Sequence, residues 1–534
     1  MPALSGYGLE SVETIGEPAH RHAARLPRWK NLITSPLFRL PTELILKIYL
    51  HTVDDDDLQW LALTAICHQL REIFISSPRL WGAVDFRSVS LTKLFLERCN
   101  FDPHLISVTD SSFASSTDVE REALWKELEC RTLTNLHFLV FVGSKKEFNR
   151  RVVHLVRRAP NLASLELDTY SREAWEFELP LGDQIPHLSM LGLGDLQISW
   201  CSPLLRNLTR LELGCTWIRT PRDSFTPIET FLTALANCPD LERLCLNLAG
   251  PTLPEGDRDD CEVVVRLRHL KDLVLKFRDH KVVGYILSHI WYPQSTKVMV
   301  EASYDVDLSV ALSQVIPRPG TETLQNLRST KTVTINMSTT YDLTTDNFRF
   351  SLRPPNHVDV ENPENLRRFA SRIVEILGRE TVINLDVRFG LFFELPFEMW
   401  RELLHGFHRL ERISYVGCLS TPTTFVDPFC WALCEPFEEG PVCPRLWDLR
   451  IPSGFAHGLS AAVLKSALAT RSGSGKRLKR ISLTSCLKED ETIVLGSFSD
   501  VVDEVSRPPD PRPWFISFIK NRHFRSIFYP RATV

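Results

Sequence analysis

The sequence predicts an α/β protein: an N-terminal module of three helices, then an irregular solenoid with parallel strands on its concave side and helices outside. Apolar residues from Phe38 to Trp81 recur at helical spacing. From Arg131 onward the pattern Leu-x-x-Leu-x-Leu recurs, and a helical segment precedes several copies. Helix followed by strand in a repeating unit stacks parallel strands side by side, so that neighbouring units bury each other's leucines.

The N-terminal module begins at Leu40-Pro41, because proline suits the first helical position, where its missing N–H would have no partner. Its first apolar face is formed by Leu44, Ile45, Ile48 and Tyr49. Two further apolar series start at Leu58 and at Leu70. A segment of about 40 residues is too short to bury this surface alone. The surface therefore either packs on the rest of the chain or binds another protein.

Three blocks of this module follow one another in a recognisable order. They are Leu40-Pro41-x-Glu43-Leu44-x-x-x-Ile48, Ile66-Cys67-x-x-x-Arg71 and Ser77-Pro78-x-Leu80-Trp81. Together they resemble an F-box, specifically the F-box-like segment common in mushroom-forming fungi. The family usually has tryptophan before the arginine, where this chain has Leu70.

The resemblance implies that the module docks on the Skp-type adaptor of a ubiquitin ligase, and through it on a cullin. The residues that it implies for this contact are Leu40, Pro41, Leu44, Ile45, Ile48 and Trp81.

The patterns divide the chain into five segments. They are a disordered tail (1–35), the F-box-like domain (36–86), a linking helix and strand segment (87–130), the repeat array (131–507) and a C-terminal cap or tail (508–534). Short strands are predicted at 83–86 and 105–108, with a helix at 91–98 between them.

Clear copies of the repeat begin at Leu162, Leu188, Leu208, Leu241, Leu270, Leu410, Leu446 and Leu478. Weaker copies are Leu133/Leu136/Phe138, Val298/Val300, Val333/Ile335 and Val382/Leu385/Val387. No confident copy falls between Ile335 and Val382. Helices are predicted at 148–158, 228–237, 366–378, 397–407 and 459–470. The array resembles leucine-rich repeats, although no copy ends in the asparagine of a standard unit.

Strand side chains alternate, so the last two leucines of each copy face the core and the residues between them face the concave surface. That surface would carry Arg210, Glu212, Arg243, Asp272, Arg412, Ser414, Asp448, Arg450, Arg480 and Ser482. Arginine matches carboxylate and phosphate with a planar fork of donors. One hypothesis is that Arg210, Arg243, Arg412, Arg450 and Arg480 capture an acidic or phosphorylated segment. The alternative is that neighbouring acidic residues neutralise them.

Composition excludes several other classes of protein. Hydrophobic residues are 43% and charged residues 24% of the chain, as in ordinary soluble proteins, and the net charge of −4 gives no reason to expect nucleic-acid binding. The sequence contains no run of 18 apolar residues, so no membrane span is predicted. The N-terminus lacks the pattern of a secretory signal, so the 13 cysteines are expected to be free thiols in the cytoplasm or nucleus.

Candidate chemistry is sparse. Cys430, Cys434 and Cys443, with His405, His408 or His457, lack the paired spacing of a zinc site and are interpreted as core residues. The segment 471–477 (RSGSGKR) has Thr470 and Arg477 where a phosphate-binding loop needs glycine and serine or threonine. We interpret it as a flexible basic loop. No G-x-S-x-G or His-Glu-x-x-His motif is present, so we expect no catalysis, no cofactor and no metal.

The preferred interpretation is therefore a non-catalytic substrate receptor of an SCF-type (Skp-cullin-F-box) ubiquitin ligase. The F-box-like domain would bind the adaptor and the array would bind a protein substrate. The alternative is a protein-interaction scaffold, built on the same solenoid, that has no connection to a ligase.

Overall fold

The structure is a computed structural model. It describes residues 36–52, 61, 64–86, 88–108, 118–169, 175–176, 185–214, 228–251, 253, 263–303, 308–316, 325–337, 340–353, 363–389, 395–416, 428–437, 440–452, 458–484 and 498–506. The predicted tail 1–35, most of the helix predicted from Leu58 and the predicted cap 508–534 lie outside the described residues. Two compact units are present, Met1–Leu162 and Ala163–Val534, and each is described by itself.

The first unit begins with a 3-10 turn, Pro36–Arg39, and continues with alternating helices and short strands. Its helices are α1 (Thr42–Thr52), α2 (His68–Ile75), α3 (Pro78–Trp81), α4 (Val89–Arg98), α5 (Asp118–Glu129) and α6 (Lys145–Arg157). Its strands are β1 (Ala83–Asp85), β2 (Leu105–Val108) and β3 (Phe138–Gly143). The three strands pair in parallel, β1 with β2 and β2 with β3. The short strands and the helix predicted between residues 83 and 108 are present.

One weak repeat was predicted in the wrong phase. The predicted copy Leu133/Leu136/Phe138 would place Phe138 in the core, but its side chain is 39% exposed. Leu139 and Phe141 are the buried residues of β3, so the copy is Leu136-x-x-Leu139-x-Phe141. The error arose because the apolar residues from 133 to 141 satisfy the pattern in two phases.

The second unit contains most of the predicted array. Its helices are α7 (Ile228–Ala236), α8 (His280–His289), α9 (Leu308–Val315), α10 (Gln325–Arg328), α11 (Pro363–Leu377), α12 (Phe397–Gly406), α13 (Pro428–Cys434) and α14 (Gly458–Gly473). We call the strands that pair side by side along this unit the ladder. The first seven are β4 (Ser164–Thr169), β5 (Met190–Gly194), β6 (Arg210–Gly214), β7 (Arg243–Asn247), β8 (Asp272–Phe277), β9 (Lys297–Ser303) and β10 (Thr332–Met337). The others are β11 (Tyr341–Thr344), β12 (Phe348–Arg353), β13 (Asn384–Phe389), β14 (Arg412–Val416), β15 (Asp448–Pro452), β16 (Leu478–Thr484) and β17 (Val502–Ser506).

Three pairs of two-residue strands lie beside this ladder. They are Trp175–Glu176 with Leu196–Gln197, Val265–Arg266 with Ile290–Trp291, and Pro436–Phe437 with Gly440–Pro441.

The ladder of the second unit is mostly parallel, as predicted. Strands β4 to β9 pair in chain order, and so do β13 to β17. Along these strands the second and third apolar residues of the clear repeats from Leu162 to Leu446 are buried, for example Leu211 and Leu213 in β6. Burial of alternate residues leaves the residues between them on the opposite side, which we call the polar face.

A meander interrupts the repeats between residues 332 and 353; it begins with the weak copy Val333/Ile335 and continues into the stretch after Ile335, where no copy was predicted. Strand β10 pairs antiparallel with β11, and β11 pairs antiparallel with β12. The chain returns far enough for β12, rather than β10, to pair with β9, while β10 pairs with β13. The sequence signal was the alternation of buried Phe348, Phe350 and Leu352, which is a strand pattern without the leucine spacing of a repeat.

The basic segment 471–477 is not wholly a flexible loop. Arg471 lies in the last turn of α14, and its side chain is buried. Its Nη1 donates to the carbonyl of Val442 at 2.6 Å, and its Nη2 donates to those of Cys443 and Leu446 at 3.0 and 3.3 Å. Arg471 therefore holds the turn that leads into β15. Burial lowers the pKa of its guanidinium below the usual value.

Among the helices in the described part of the chain, none combines the length and apolar character needed to cross a membrane.

Candidate functional site

A row of apolar side chains on the N-terminal module faces solvent. Leu40 is 36% exposed, Leu44 45% and Ile48 48%. Leu44 and Ile48 are four residues apart on α1 and so lie on one side of the helix. Leu40 precedes the helix at its N-terminal end, beside exposed Pro41. We call Leu40, Leu44 and Ile48 the α1 row.

The other side of α1 is used inside the unit. Ile45 is only 5% exposed, and Tyr49 is also buried, with its ring centroid 4.8 Å from that of Phe74 in α2. Ile45 therefore packs the module and does not lie on its surface. Because the Ile45 side chain is covered, it cannot contact an adaptor directly, contrary to the prediction.

Trp81 requires the same correction. Its side chain is 1% exposed, its Nε1 donates to the carbonyl of Phe74 at 3.1 Å, and its ring meets Phe95 edge-on at 4.9 Å. The guanidinium of Arg98 covers the ring at 4.2 Å. Trp81 is therefore a core residue packed against α2 and α4, and its side chain is not exposed to a partner.

The predicted arginines do lie together on the polar face, in two clusters. Arg210 of β6 pairs in register with Arg243 of β7. Arg412, Asp448 and Arg480 occupy matching positions of β14, β15 and β16.

The first cluster is centred on Glu212, which is nearly buried. Arg210 Nε donates to Glu212 Oε1 at 2.7 Å, and Arg243 Nε lies 2.7 Å from the same oxygen. Here the alternative of neutralisation by neighbouring residues describes the structure: one carboxylate bridges two arginines.

The second cluster is centred on Asp448, whose side chain is fully buried. Arg480 donates through Nε to Oδ1 at 3.0 Å and through Nη2 to Oδ2 at 2.7 Å. Arg412 Nε donates to Oδ2 at 2.9 Å, and Arg450 Nη2 lies 3.8 Å from that oxygen. Burial opposes ionisation of Asp448, but the hydrogen bonds and charge of Arg480, with the charges of Arg450 and Arg412, hold its pKa below the usual value.

Trp447 belongs to the second cluster and was not predicted from the sequence. The guanidinium carbons of Arg412 and Arg480 lie 5.5 and 5.7 Å from its ring centroid, within the range of a cation–π contact. Its position immediately before the strand residue Asp448 was the only signal in the sequence.

An acidic pair lies elsewhere on the ladder. Asp168 of β4 lies close to Gly194, where a side chain on β5 would collide with its carboxylate. Burial, followed by the negative charge of Asp195, raises the pKa of Asp168 to about 6. Its carboxyl group is therefore harder to ionise in the folded chain than in the unfolded one.

This shift predicts a pH-dependent gain from Asp168→Asn. Because the folded pKa lies above the unfolded value of 3.8, ionisation of Asp168 removes stability as the pH rises from about 4 through 6. We expect the variant to be more stable by about 1–2 kcal/mol at pH 7.5, with the gain vanishing near pH 4. Urea unfolding at several pH values measures this. A gain that is independent of pH would contradict the assignment, and Asp195→Asn should reproduce part of the effect.

The described cysteines and histidines that were considered as zinc ligands do not form a common site. Cys443 Sγ donates to the carbonyl of Leu404 at 3.2 Å, and burial raises the pKa of its thiol to about 12. His405 lies 3.5 Å from Glu435 and His408 lies 3.2 Å from Glu380. Among the described residues, no group of three potential ligands is placed to hold a metal ion. His457 lies outside them.

No protein-family model matches the sequence, and no curated protein matches it. Among solved structures, the chain is similar to one in the crystal structure of the Rad7 and Elc1 complex in yeast, with 11% identity over 94% of this chain and 97% of that chain. The TM-score of 0.23 is too low for this likeness to support an argument. The structure itself defines a mixed α/β protein with a mostly parallel ladder and two candidate interaction surfaces, the α1 row and the polar face.

Proposed function

We propose that this protein is the substrate-recognition subunit of an SCF-type ubiquitin ligase. The α1 row would dock on a Skp-type adaptor, which joins it to a cullin, and the polar face of the ladder would hold a protein substrate. The chain would perform no chemistry of its own. Tethering the substrate near the transferring subunits makes the later encounter intramolecular and raises its effective concentration.

The observation that supports this proposal most is the division of α1 into two apolar sides. Ile45 and Tyr49 supply the packing that the helix needs, while Leu44 and Ile48 remain in solvent. Exposed apolar side chains do not stabilise the isolated chain. A partner that covers them would gain the free energy of burying their apolar surface. The exposed residues belong to the block that resembles an F-box.

Co-purification with the double variant Leu44→Asp/Ile48→Asp tests the proposal. Both side chains are about half exposed, so the substitution should leave the fold intact, and we expect more than tenfold less adaptor and cullin to be retained. Val310→Asp is the matched control, because Val310 is an apolar residue of α9 with 42% exposure in the other unit. It should retain the adaptor.

The alternative, a scaffold without a ligase connection, predicts another outcome. Neither the unaltered chain nor the Val310→Asp control would then retain an adaptor or a cullin. That result, or equal retention by the double variant, would overturn the ligase proposal.

A further inference from the structure

Trp431 of α13 is a large aromatic side chain on the outer surface of the helix layer. It is 52% exposed, whereas its neighbours in the helix are buried: Phe429, Cys430, Ala432 and Leu433. Among the described residues its indole makes no hydrogen bond and no ring contact. An exposed indole contributes to stability only when another group covers it, and tryptophan is enriched at the centres of contact surfaces.

Trp431 lies near the edge of the ladder at which the parallel strands end. A helix that joins two parallel strands begins where the first strand ends, and Trp431 is in the first turn of α13. The neighbouring helix α14 is aligned with α13 here, because Cys434 Sγ donates to the carbonyl of Val463 at 3.6 Å. The exposed residues Ala462 and Ser466 of α14 are small, so they do not block the approach to Trp431.

The last strand of the ladder ends at the same edge. Strand β17 ends at Ser506, and the sequence continues with Arg507-Pro508-Pro509-Asp510-Pro511-Arg512-Pro513-Trp514. Four prolines in the six positions 508–513 favour the extended polyproline II conformation. A segment of this kind loses little entropy when it binds, and it typically packs against exposed aromatic side chains.

The proline-rich segment is long enough to reach Trp431. Helix α13 leads into β15, which lies two strands from β17. Two strand spacings are about 10 Å and a helix with its side chains is about 10–12 Å across, so the path is about 22 Å long. The seven residues from Ser506 to Pro513 span about 22 Å as polyproline II. A tether this short gives a high effective concentration, so that even a weak contact is populated.

The charges near Trp431 also match this segment. Glu398 is exposed in the first turn of α12, the helix packed against α13, and it forms no ion pair among the described residues. Two other charged side chains of this region, Arg401 and Glu435, pair with each other at 3.1 Å. The negative charge of Glu398 is therefore available to a positive residue of the segment, and Arg512 is the one closest to its end.

We propose that the proline-rich segment 507–513 folds back over α14 and packs against Trp431, with Arg512 close to Glu398. The segment acts as a clasp, which covers the exposed indole and ties the last strand of the ladder to α13. This inference is independent of the proposed function, because neither the α1 row nor the polar face takes part in the contact.

Hydroxyl-radical footprinting of the full chain tests the clasp, because it measures the solvent exposure of single side chains. In the test variant alanine replaces the four prolines: Pro508→Ala, Pro509→Ala, Pro511→Ala and Pro513→Ala. The oxidation rate of Trp431 follows the fraction of molecules in which the indole is uncovered, so the variant should raise it about threefold or more. Phe138, which is 39% exposed in the other unit, should react equally in both proteins. Equal rates at Trp431 would overturn the clasp.

A charge exchange tests where the segment lies. Arg512→Glu places a second negative charge near Glu398 and should raise the oxidation rate of Trp431. The double variant Arg512→Glu/Glu398→Arg restores opposite charges and should return the rate to that of the unaltered chain. Arg512→Glu/Glu72→Arg is the matched control, because Glu72 is an exposed glutamate of the other unit, and it should not restore the rate. Failure of Glu398→Arg to restore protection would overturn the placement.

Dilution shows whether the segment belongs to the same chain. A contact within one chain does not depend on protein concentration, so the oxidation rate of Trp431 should be equal at about 20 and about 0.5 μM. Protection that is lost on dilution would assign the segment to a second copy of the chain and overturn the clasp.

Discussion

Asp448→Asn should destabilise the second unit by about 2–4 kcal/mol. Removing the charge of a buried ion pair typically costs 3–5 kcal/mol, because its partners are left without compensation. The cost should be lower here because Arg412 and Arg480 are partly exposed and can turn toward water. Urea unfolding of the purified variant at pH 7.5 gives the value.

Asp503→Asn is the matched control for this prediction. Asp503 also pairs with an arginine, Arg477 at 2.9 Å, but both side chains are well exposed. Its loss should change stability by less than about 0.5 kcal/mol. Equal effects of the two substitutions would show that Asp448 does not organise the cluster.

Gly284→Ala should cost about 3 kcal/mol or more. Gly284 lies in α8, and a Cβ at this position would be 2.8 Å from the carbonyl carbon of Gln314 in α9 and closer still to its oxygen. Because backbone cannot turn aside as a side chain does, the two helices would have to separate and lose packing. Thermal unfolding measures the loss.

The same substitution at Gly473 serves as the control. Gly473 ends α14, and no heavy atom lies within 4 Å of the Cβ that alanine would add there. Alanine should be neutral or slightly stabilising at this position, because it favours the helical conformation more than glycine does. A tolerated Gly284→Ala would mean that α8 and α9 do not approach each other as closely as described.

The repeat pattern predicted most strands of the ladder, because the position of each such strand depends on which of its residues are buried. In a copy such as Leu208/Leu211/Leu213, the spacing places two leucines on one side of a strand, and both are buried. The pattern was less informative where apolar residues are dense. Around Leu136 two phases fitted equally well, and only the burial of Leu139 and Phe141 in the folded chain selects between them.

The meander could not be predicted from the repeat pattern. Phe348, Phe350 and Leu352 indicate a strand, but nothing local states that it pairs with β9 rather than with the strand after it. Partner choice between strands depends on packing across the whole ladder, which single-sequence periodicity does not contain.

Strand alternation predicted which residues share a face of the ladder, but not which side chains pair there. It placed Arg210 and Arg412 on the polar face, but it gave no sign that Glu212 is shared by two arginines or that Asp448 is shared by three. Similarly, the motif in the N-terminal module named Ile45 and Leu44 together. Only three-dimensional packing separates the residue that supports the helix from the one that faces solvent.

The strand exchange in the meander has a consequence for how the ladder folds. Elsewhere neighbouring strands join across short stretches of chain, as Leu211 does with Leu244. At the meander, Val298 joins Phe348 and Val333 joins Leu385, so about fifty residues must be brought together for each pairing. The added closure entropy is small, about 0.4 kcal/mol relative to the pairing of Leu211 with Leu244, so we expect the three meander strands to form as one unit and to join the ladder through the β9–β12 and β10–β13 pairings.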